Sequence, residues 1–149
     1  MRVVVVGGVA GGMSAAARLR RRDEGAEIIV LERSKYVSFA NCGLPYYVGG
    51  EIDDPAKLLL HTPQSLKAAL NLDVRINSDV TAIDPGAHSV QVTNTETGEA
   101  YTLTYDHLIL SPGALASRPP IDGLDSPRVH TLRTVDDALA LREASGTRA

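Results

Sequence analysis

The first third of the chain alternates apolar runs with a segment of helical character. Val3 to Val6 is an unbroken apolar run that leads into glycines, which is typical of a strand buried in a parallel sheet. Gly11 to Arg22 combines small residues with arginines at its end, where they complement a helix dipole. Gly25 then favours the end of this helix, and Glu27 to Leu31 predicts a second strand. This order predicts a βαβ unit.

The next stretch is more irregular and then returns to helix and strand. Up to Asp54 the sequence predicts a loop with a short helical turn around Cys42. Thr62 and Pro63 have the residue types that favour the N-cap and the first position of a helix. A third short strand is predicted from Asp73 to Ile76.

From Asp79 onward the apolar positions alternate with a period of two. Turn sequences at 84–86 and 96–98 divide this region into three β segments. His107 to Leu110 is again a continuous apolar run, which predicts one more buried strand. The pattern therefore predicts a three-stranded antiparallel meander inserted into an otherwise parallel unit. Its apolar positions are Val80, Ala82, Ile83, Val90, Val92, Tyr101, Leu103 and Tyr105.

The last part of the chain predicts a linker and one helix. The linker lies around Arg118 and the two prolines that follow it. The helix is expected from Thr134 to Arg142, because Thr134 and Asp137 have the spacing of a capping box.

The composition of the chain argues against nucleic acid as a partner and against a secretory or membrane segment. With 149 residues and 44% apolar content, the chain supports a hydrophobic core. A net charge of −3 and a single Phe without Trp do not favour nucleic acid as a partner. The stretch from Val3 to Ala17 superficially imitates a secretory signal, but its four glycines and the arginines after it favour strand, turn and helix. It is also shorter than the roughly 20 apolar residues of a membrane helix. We therefore expect no membrane segment and a reducing cytoplasm.

A glycine-rich turn follows the first strand and opens the first helix. Residues 7–12 fit the dinucleotide fingerprint G-x-G-x-x-G at the first and last positions, with Val9 in the middle one. Glu32 follows Gly12 by twenty residues, where an acid accepts hydrogen bonds from an adenosine ribose and disfavours a 2′-phosphate. The sequence thus predicts an α/β fold with a Rossmann-like dinucleotide-binding βαβ unit and the inserted meander. A glycine turn that binds nothing remains the alternative.

Cys42 is the only cysteine, so no disulfide forms within the chain. The thiol is then an inert buried group, a nucleophile, or a partner in a transient mixed disulfide. Its place in the loop after the second strand of a nucleotide-binding unit favours redox chemistry at sulfur. No metal site is predicted, because the histidines lack ligand spacing and are interpreted as structural or surface residues. These are His61, His88, His107 and His130.

Several motifs together resemble a known family. They are Val3–Gly12, Glu32-Arg33, Ser38–Gly50 and Tyr105–Ala114. They are similar to the N-terminal part of flavin-dependent pyridine nucleotide–disulfide oxidoreductases. Within these, the chain most resembles the single-cysteine branch, the coenzyme A-disulfide reductases and their persulfide-reductase relatives. The resemblance runs from Met1 to about Asp137.

This resemblance implies cofactors and a domain plan. FAD would occupy the first nucleotide site, NADH or NADPH a second site farther along the protein, and a C-terminal domain would form a homodimer. Residues 1–118 would be the first segment of an FAD-binding domain, incomplete by itself. Residues 119–149 would be a linker and helix that lead to an NAD(P)H-binding domain absent from this chain. We expect the 149-residue chain alone to be inactive.

The resemblance also assigns roles to residues. Cys42 would be the redox nucleophile, at a helix start that stabilises a sulfur anion. Glu32 would bind the adenosine ribose, Val80 would contact adenine through its backbone, and Ser111 and Gly113 would form a second turn against the cofactor. The full set of expected FAD contacts is Gly7, Val9, Ala10, Gly11, Gly12, Glu32, Arg33, Val80, Ser111 and Gly113.

A basic face of the first helix is a second expected site. Ser14 and Arg18, with Arg21 or Arg22, recur at helical spacing and share one face. By resemblance this face meets coenzyme A phosphates together with Ser38 and Asn41. A solvated basic helix end remains the alternative, and Asn41 could instead cap its turn. Some relatives carry a basic residue near Leu70 that is missing here, and its absence weakens the expected specificity for coenzyme A. Lys67 could substitute for that residue.

The expected function is electron transfer from NAD(P)H through FAD to a disulfide or persulfide. An NADH oxidase or peroxidase that uses Cys42 as a sulfenic acid is one alternative. It is disfavoured because such relatives place a histidine in the glycine loop, where this chain has Ala10. A nucleotide-binding module without turnover is the second alternative.

Overall fold

The computed structural model describes residues 1–146, and the last three residues of the predicted linker-and-helix segment lie outside the described residues. The chain forms two compact units. The first contains residues 1–38 and 61–113, and the second contains residues 39–60 and the chain from 114 onward. The segment 39–60 therefore groups with the C-terminal part of the chain rather than with the strands that flank it. The predicted domain boundary at residue 118 stays a prediction.

Seven strands and four α-helices follow one another along the described chain. The strands are β1 (Arg2–Val6), β2 (Glu27–Leu31), β3 (Asp73–Arg75), β4 (Ser78–Asp84), β5 (Ser89–Asn94), β6 (Ala100–Thr104) and β7 (His107–Leu110). The helices are α1 (Ala10–Arg22), α2 (Leu44–Gly49), α3 (Pro63–Leu70) and α4 (Val135–Ala144), with 3₁₀ turns at Asn41–Gly43 and Pro55–Leu58.

The first unit contains a four-stranded parallel sheet in the order β3-β2-β1-β7. Val4 pairs with Ile29 of β2 on one side and with Leu108 of β7 on the other. The predicted βαβ unit and the fourth parallel strand are confirmed. Residues 3–17 form strand, turn and the first part of α1, as expected.

Alternate residues of the central strands enter two different cores. Val3 and Val5 pack with Met13 and Ala16 of α1 and with Leu66 of α3. Val4 of β1 and Ile29 and Leu31 of β2 instead pack with Val90 and Val92 of β5. Because both faces of the sheet are covered, its central strands are apolar throughout. Each fully buried side chain of this size contributes about 1.5–3 kcal/mol.

The predicted meander forms a separate antiparallel sheet in the order β4-β5-β6. Its register shifts between Val80 and Ala82. Val80 is partly buried against the core, whereas Ile83 is 40% exposed. Tyr105 lies just after β6, and its backbone N–H donates to His88 O at 2.8 Å. Because of this register shift, Val80 pairs with Val92 and Ile83 pairs with Val90, so a step of three residues along β4 matches a step of two along β5.

A buried arginine joins the ends of two helices in the first unit. Arg20 is only 9% exposed, and its guanidinium donates to five backbone carbonyl oxygens. Three of these belong to the segment after α1, and two lie at the end of α3. From the sequence, Arg20 is one of four arginines that complement the dipole of α1. Only the structure shows that it caps both helix ends.

The second unit contains α2 and α4, and the ends of its helices follow the sequence signals. Thr134 and Asp137 form the predicted capping box of α4: the Asp137 carboxylate accepts from the Thr134 N–H at 2.8 Å, and the Asp137 N–H donates to Thr134 Oγ1 at 3.1 Å. In the first unit, Thr62 and Pro63 begin α3, as predicted. Among residues 1–146, no helix combines the length and the apolar character needed to cross a membrane.

Candidate functional site

The glycine-rich turn packs so closely that two of its glycines tolerate no side chain. Gly7 has φ = 101°, and a Cβ there would lie 2.0 Å from the carbonyl oxygen of Ser111. A Cβ on Gly12 would lie 1.8 Å from the carbonyl oxygen of Gly7. Val9, at the middle position of the fingerprint, has φ = −110°, so this position does not need the left-handed backbone that favours glycine. The missing middle glycine therefore does not disturb the turn.

Glu32 is tied to the same turn by its carboxylate. It is 7% exposed, and its Oε2 accepts from the Gly8 N–H at 2.7 Å. Its Oε1 accepts from the Ser34 N–H at 2.9 Å. Spacing alone predicts Glu32 as a ribose ligand, and the structure adds that it anchors the turn. Each carboxylate oxygen keeps a further lone pair with which it can accept another hydrogen bond.

In the described part of the chain, no side chain caps the first turn of α1. Its N-cap, Val9, makes no side-chain hydrogen bond to the first turn, and Ala10 and Gly11 are exposed. The first N–H groups of a helix need acceptors, and together with the helix dipole they form a site for phosphate groups. This thirteen-residue helix, with its closely packed glycine turn and buried acid, therefore fits the pyrophosphate and ribose of a dinucleotide.

The other residues expected at the cofactor lie at different distances from the turn. Ser111 is adjacent to it, since its N–H donates to Val6 O at 2.8 Å and a Cβ on Gly11 would lie 3.2 Å from its Oγ. Gly113 follows with φ = 75°. Arg33 is exposed directly after Glu32, and Val80 is in the core beside β5. The cofactor contacts of these residues stay predictions.

A cavity of about 320 Å³ in the first unit collects part of the predicted basic face. Ser14, Arg21, Ser38 and His61 supply its polar groups. Arg18 and Arg22 are exposed on α1 but do not line this cavity. The remaining lining is mainly apolar and consists of Met13, Ala17, Leu66 and Leu70.

Two details of this cavity differ from the sequence interpretation. His61 was expected only as a structural or surface residue, and it lines the cavity although nothing in its spacing indicates this. Lys67 was expected to replace a basic residue near Leu70. It donates instead to Asn71 Oδ1 at 2.7 Å and lines a different cavity. A lysine at this helical position interacts with the end of α3.

Cys42 is exposed, so the alternative of a buried inert thiol is wrong. It occupies the middle of the 3₁₀ turn Asn41–Gly43, two residues before α2 begins. It lines a cavity of about 180 Å³, and the other lining residues are Asn41, Leu44, Pro45, Leu132 and Arg133. Among the described residues, Asn41 Oδ1 is buried without a hydrogen-bond partner.

Arg133 brings a cation to the Cys42 cavity and is fixed at two points. Its Nε donates to Ala114 O at 2.8 Å, and its backbone N–H donates to the Asp137 carboxylate at 2.9 Å. Partial burial of Asp137 raises its pKa, but hydrogen bonds from Thr134 and Arg133 outweigh burial, so this pKa lies below its ordinary value. Asp137 therefore carries its charge at neutral pH.

Within residues 1–146, no group of three or more His, Cys, Asp or Glu side chains is arranged to hold a metal ion.

A family model described as pyridine nucleotide-disulphide oxidoreductase matches residues 1–148. A coenzyme A disulfide reductase from Staphylococcus haemolyticus is 39% identical over 140 residues, which cover 94% of this chain and 31% of that protein. The chain thus spans about a third of the length of the curated relatives that it matches.

Two solved structures share the fold closely. Reduced CoADR-RHD from Bacillus anthracis is 46% identical with a TM-score of 0.93, covering 97% of this chain and 26% of the other. An NAD-dependent persulfide reductase from A. fulgidus is 38% identical with a TM-score of 0.92, covering 98% of this chain and 27% of the other. The family uses FAD together with a pyridine nucleotide.

Proposed function

Because this chain belongs to the pyridine nucleotide-disulphide oxidoreductase family, we propose that it carries the FAD-binding part of an NAD(P)H-dependent disulfide or persulfide reductase. The observation that carries the proposal is the state of its only cysteine. Cys42 is an exposed thiol, and Arg133 and Asn41 line the same cavity. A reactive thiol needs access and an electropositive environment; Cys42 is accessible, and the arginine lines its cavity.

The glycine turn, the start of α1 and Glu32 would hold the FAD. Gly7 and Gly12 keep the turn compact, and the N–H groups of the first turn of α1 would bind the pyrophosphate of FAD. Glu32 would accept from the ribose hydroxyls while its bond to Gly8 keeps the turn in place. When bound, FAD takes an electron pair from NAD(P)H and makes it available to sulfur.

Cys42 would carry the chemistry at sulfur. Its thiolate attacks one sulfur of the substrate; the substrate S–S bond breaks, a Cys42–S bond forms, and one thiolate leaves. Two electrons, originating from NAD(P)H, then break the mixed disulfide. The second substrate thiolate departs, the Cys42 thiolate is regenerated, and the released thiolates are protonated by solvent.

A coenzyme A-linked substrate is supported by the cavity on α1. Arg21 can pair with a phosphate, and Ser14, Ser38 and His61 supply donors beside it. His61 adds a polar group to the lining of this cavity, and Leu70 adds none. Relatives described as coenzyme A disulfide reductases support the same choice.

We further propose that the whole protein works as a homodimer in a reducing cytoplasm. A single exposed thiol persists as a thiol in such a compartment.

Cys42→Ser in the intact, flavin-loaded protein tests this function. The serine hydroxyl is a poor nucleophile toward sulfur, so turnover of a disulfide or persulfide should fall by at least on the order of 1000-fold. Reduction of the flavin by NAD(P)H should keep its rate, because that step does not need the thiol. Stopped-flow absorbance measures the flavin step, and thiol release measures turnover.

A comparable rate of disulfide reduction by the serine variant would remove Cys42 from the mechanism. An NADH oxidase that uses a sulfenic acid would be recognised differently. It would consume oxygen without added disulfide, and that activity would also require Cys42.

A further inference from the structure

We infer that Arg142 is a positioning residue for Cys42, an inference that rests on the proposed redox role of this cysteine. Arg142 belongs to α4 and is 7% exposed. Its Nη1 donates to Tyr47 O at 2.9 Å and to Ile52 O at 2.6 Å. Its guanidinium carbon lies 4.4 Å from the centre of the Tyr47 ring. The side chain therefore joins α4 to α2 by one hydrogen bond and the Tyr47 ring, and to the segment just after α2 by the other hydrogen bond.

The helix that follows Cys42 depends on such contacts. α2 has six residues, and helices of that length are marginal in water by themselves. It ends at Gly50, whose φ of 89° turns the chain away. The last carbonyl groups of a helix lack partners within it, and a cation near them is favourable. Arg142 supplies both the donor and the cation at that end.

The other end of this segment carries the thiol. Cys42 lies two residues before α2, and the Ala40 N–H at the start of its 3₁₀ turn donates to Leu58 O at 2.8 Å. A Cβ on Gly43 would lie 2.9 Å from Leu58 Cδ2, so the turn fits tightly against Leu58. The turn that carries the thiol is thus held on one side by Leu58, and the helix that follows it is held by Arg142.

Lysine cannot replace this arginine. The guanidinium donates to two carbonyl oxygens through Nη1, and its planar group lies over the Tyr47 ring at the same time, whereas an ammonium group is a compact, strongly hydrated point charge without such a plane. Arg142→Lys keeps the charge and most of the length but removes the planar group over the Tyr47 ring. It therefore loosens α2 without changing any group that touches substrate.

The experiment compares Arg142→Lys with the unchanged sequence in the intact, flavin-loaded protein. Nucleophilic attack depends steeply on geometry, so kcat for disulfide reduction should fall by about 10- to 100-fold. KM and the rate of flavin reduction by NAD(P)H should stay the same. The charge-transfer absorption between a cysteine thiolate and oxidised flavin should weaken, and a purely structural role would leave that band intact.

Arg20→Lys is the matched control. Arg20 is equally buried and also donates to backbone carbonyls, but it serves α1 and α3. Arg20→Lys should lower thermal stability at least as much, because Arg20 donates to five carbonyl oxygens, and it should leave kcat and the charge-transfer band unchanged. An equal loss of kcat in both lysine variants would assign Arg142 to general stability and overturn the inference.

Tyr47→Leu keeps the inference falsifiable if Arg142→Lys does not fold. It removes the ring beneath the guanidinium but retains the carbonyl acceptors, so kcat and the absorption band should change to a smaller extent. Normal values of both in either folded variant would overturn the inference. If Cys42→Ser is inactive while Arg142→Lys is fully active, only this inference fails; if Cys42→Ser is active, the proposed function fails.

Discussion

Glu32 shows how one residue serves both the fold and the site. Its carboxylate is buried and accepts from the N–H groups of Gly8 and Ser34. The spacing of Glu32 from the glycine turn is sufficient to predict it as a ribose ligand from the sequence. The bond to Gly8 is invisible in the sequence, because it joins residues 24 positions apart through a turn whose exact shape is tertiary.

Glu32→Gln tests both roles of this residue. The amide keeps the size but replaces one acceptor by a donor, so one backbone N–H loses its partner. The free energy of unfolding should drop by about 1–3 kcal/mol. The dissociation constant of FAD should rise by about 10-fold or more, because hydrogen bonds to a charged acceptor are worth about 1.5–3 kcal/mol. Urea denaturation and flavin fluorescence titration of the intact protein measure the two effects.

Glu24→Gln is the control for this change, since Glu24 is an exposed acid in the turn before β2. It should change neither quantity appreciably. Unaltered FAD affinity in Glu32→Gln would show that the ribose is bound elsewhere.

At the scale of elements, helix starts obey local rules in this chain. α3 and α4 both begin with the predicted threonine cap, and both form reciprocal hydrogen bonds between the cap and the third helical residue. In α4 the third residue is Asp137, which also holds the backbone of Arg133 beside the Cys42 cavity. The start of α4 therefore couples helix stability to the position of a cation in that cavity.

The pH dependence of stability should report the α4 capping box. The pKa of Asp137 in the fold is below its ordinary value of 3.8. Its stabilising contribution is therefore complete above that ordinary value and is lost as the pH falls through the lower, folded value. The urea midpoint should decline below about pH 4, and Asp137→Asn should flatten that decline while lowering the midpoint at pH 7.

Asp122→Asn provides the comparison, because Asp122 is an exposed acid in the segment before α4. It should leave the acid limb of the profile unchanged. If the urea midpoint of Asp137→Asn declined at acid pH as it does in the unchanged protein, this carboxylate would not have the proposed role.

At the scale of the whole molecule, the attraction of an anionic ligand depends more on where the charges lie than on the net charge. The chain has 15 basic and 18 acidic residues, so its overall charge of −3 does not attract an anionic substrate. The proposed coenzyme A-linked substrate would therefore need local cations, and Arg21 lines the α1 cavity together with two serines and His61. Arg18 and Arg22 share the helix but lie outside the cavity.

Arg21→Ala should raise KM for a coenzyme A-linked disulfide by about 10-fold or more, the value of a lost charge-assisted hydrogen bond. kcat should stay constant, because binding lost equally in the ground and transition states appears in KM. A small uncharged disulfide should show no change. Steady-state kinetics at two salt concentrations measure the effect, which should shrink at high salt.

Arg22→Ala is the matched control, since it removes the same charge from the next residue outside the cavity. Equal increases in KM for Arg21→Ala and Arg22→Ala would assign both arginines to the dipole of α1.

The sequence by itself determined the order of strands and helices, the caps of α3 and α4, the glycine turn with its acid, and the single thiol. Each of these depends on residues close together in the chain, whose apolar period, cap types and backbone freedom act locally. The family resemblance and the fold class rest on the same local motifs, and the comparisons confirm both.

The tertiary structure alone decided which polar groups meet. In the folded chain Arg20 and Arg142 are buried and donate to backbone carbonyl oxygens. Lys67 donates to Asn71 and does not line the α1 cavity, whereas His61 does. Arg142 and Tyr47 are 95 positions apart, and no periodicity or spacing relates them. Such pairs are selected by which helix ends leave carbonyls without partners once the chain has packed, and burial then makes satisfying those carbonyls obligatory.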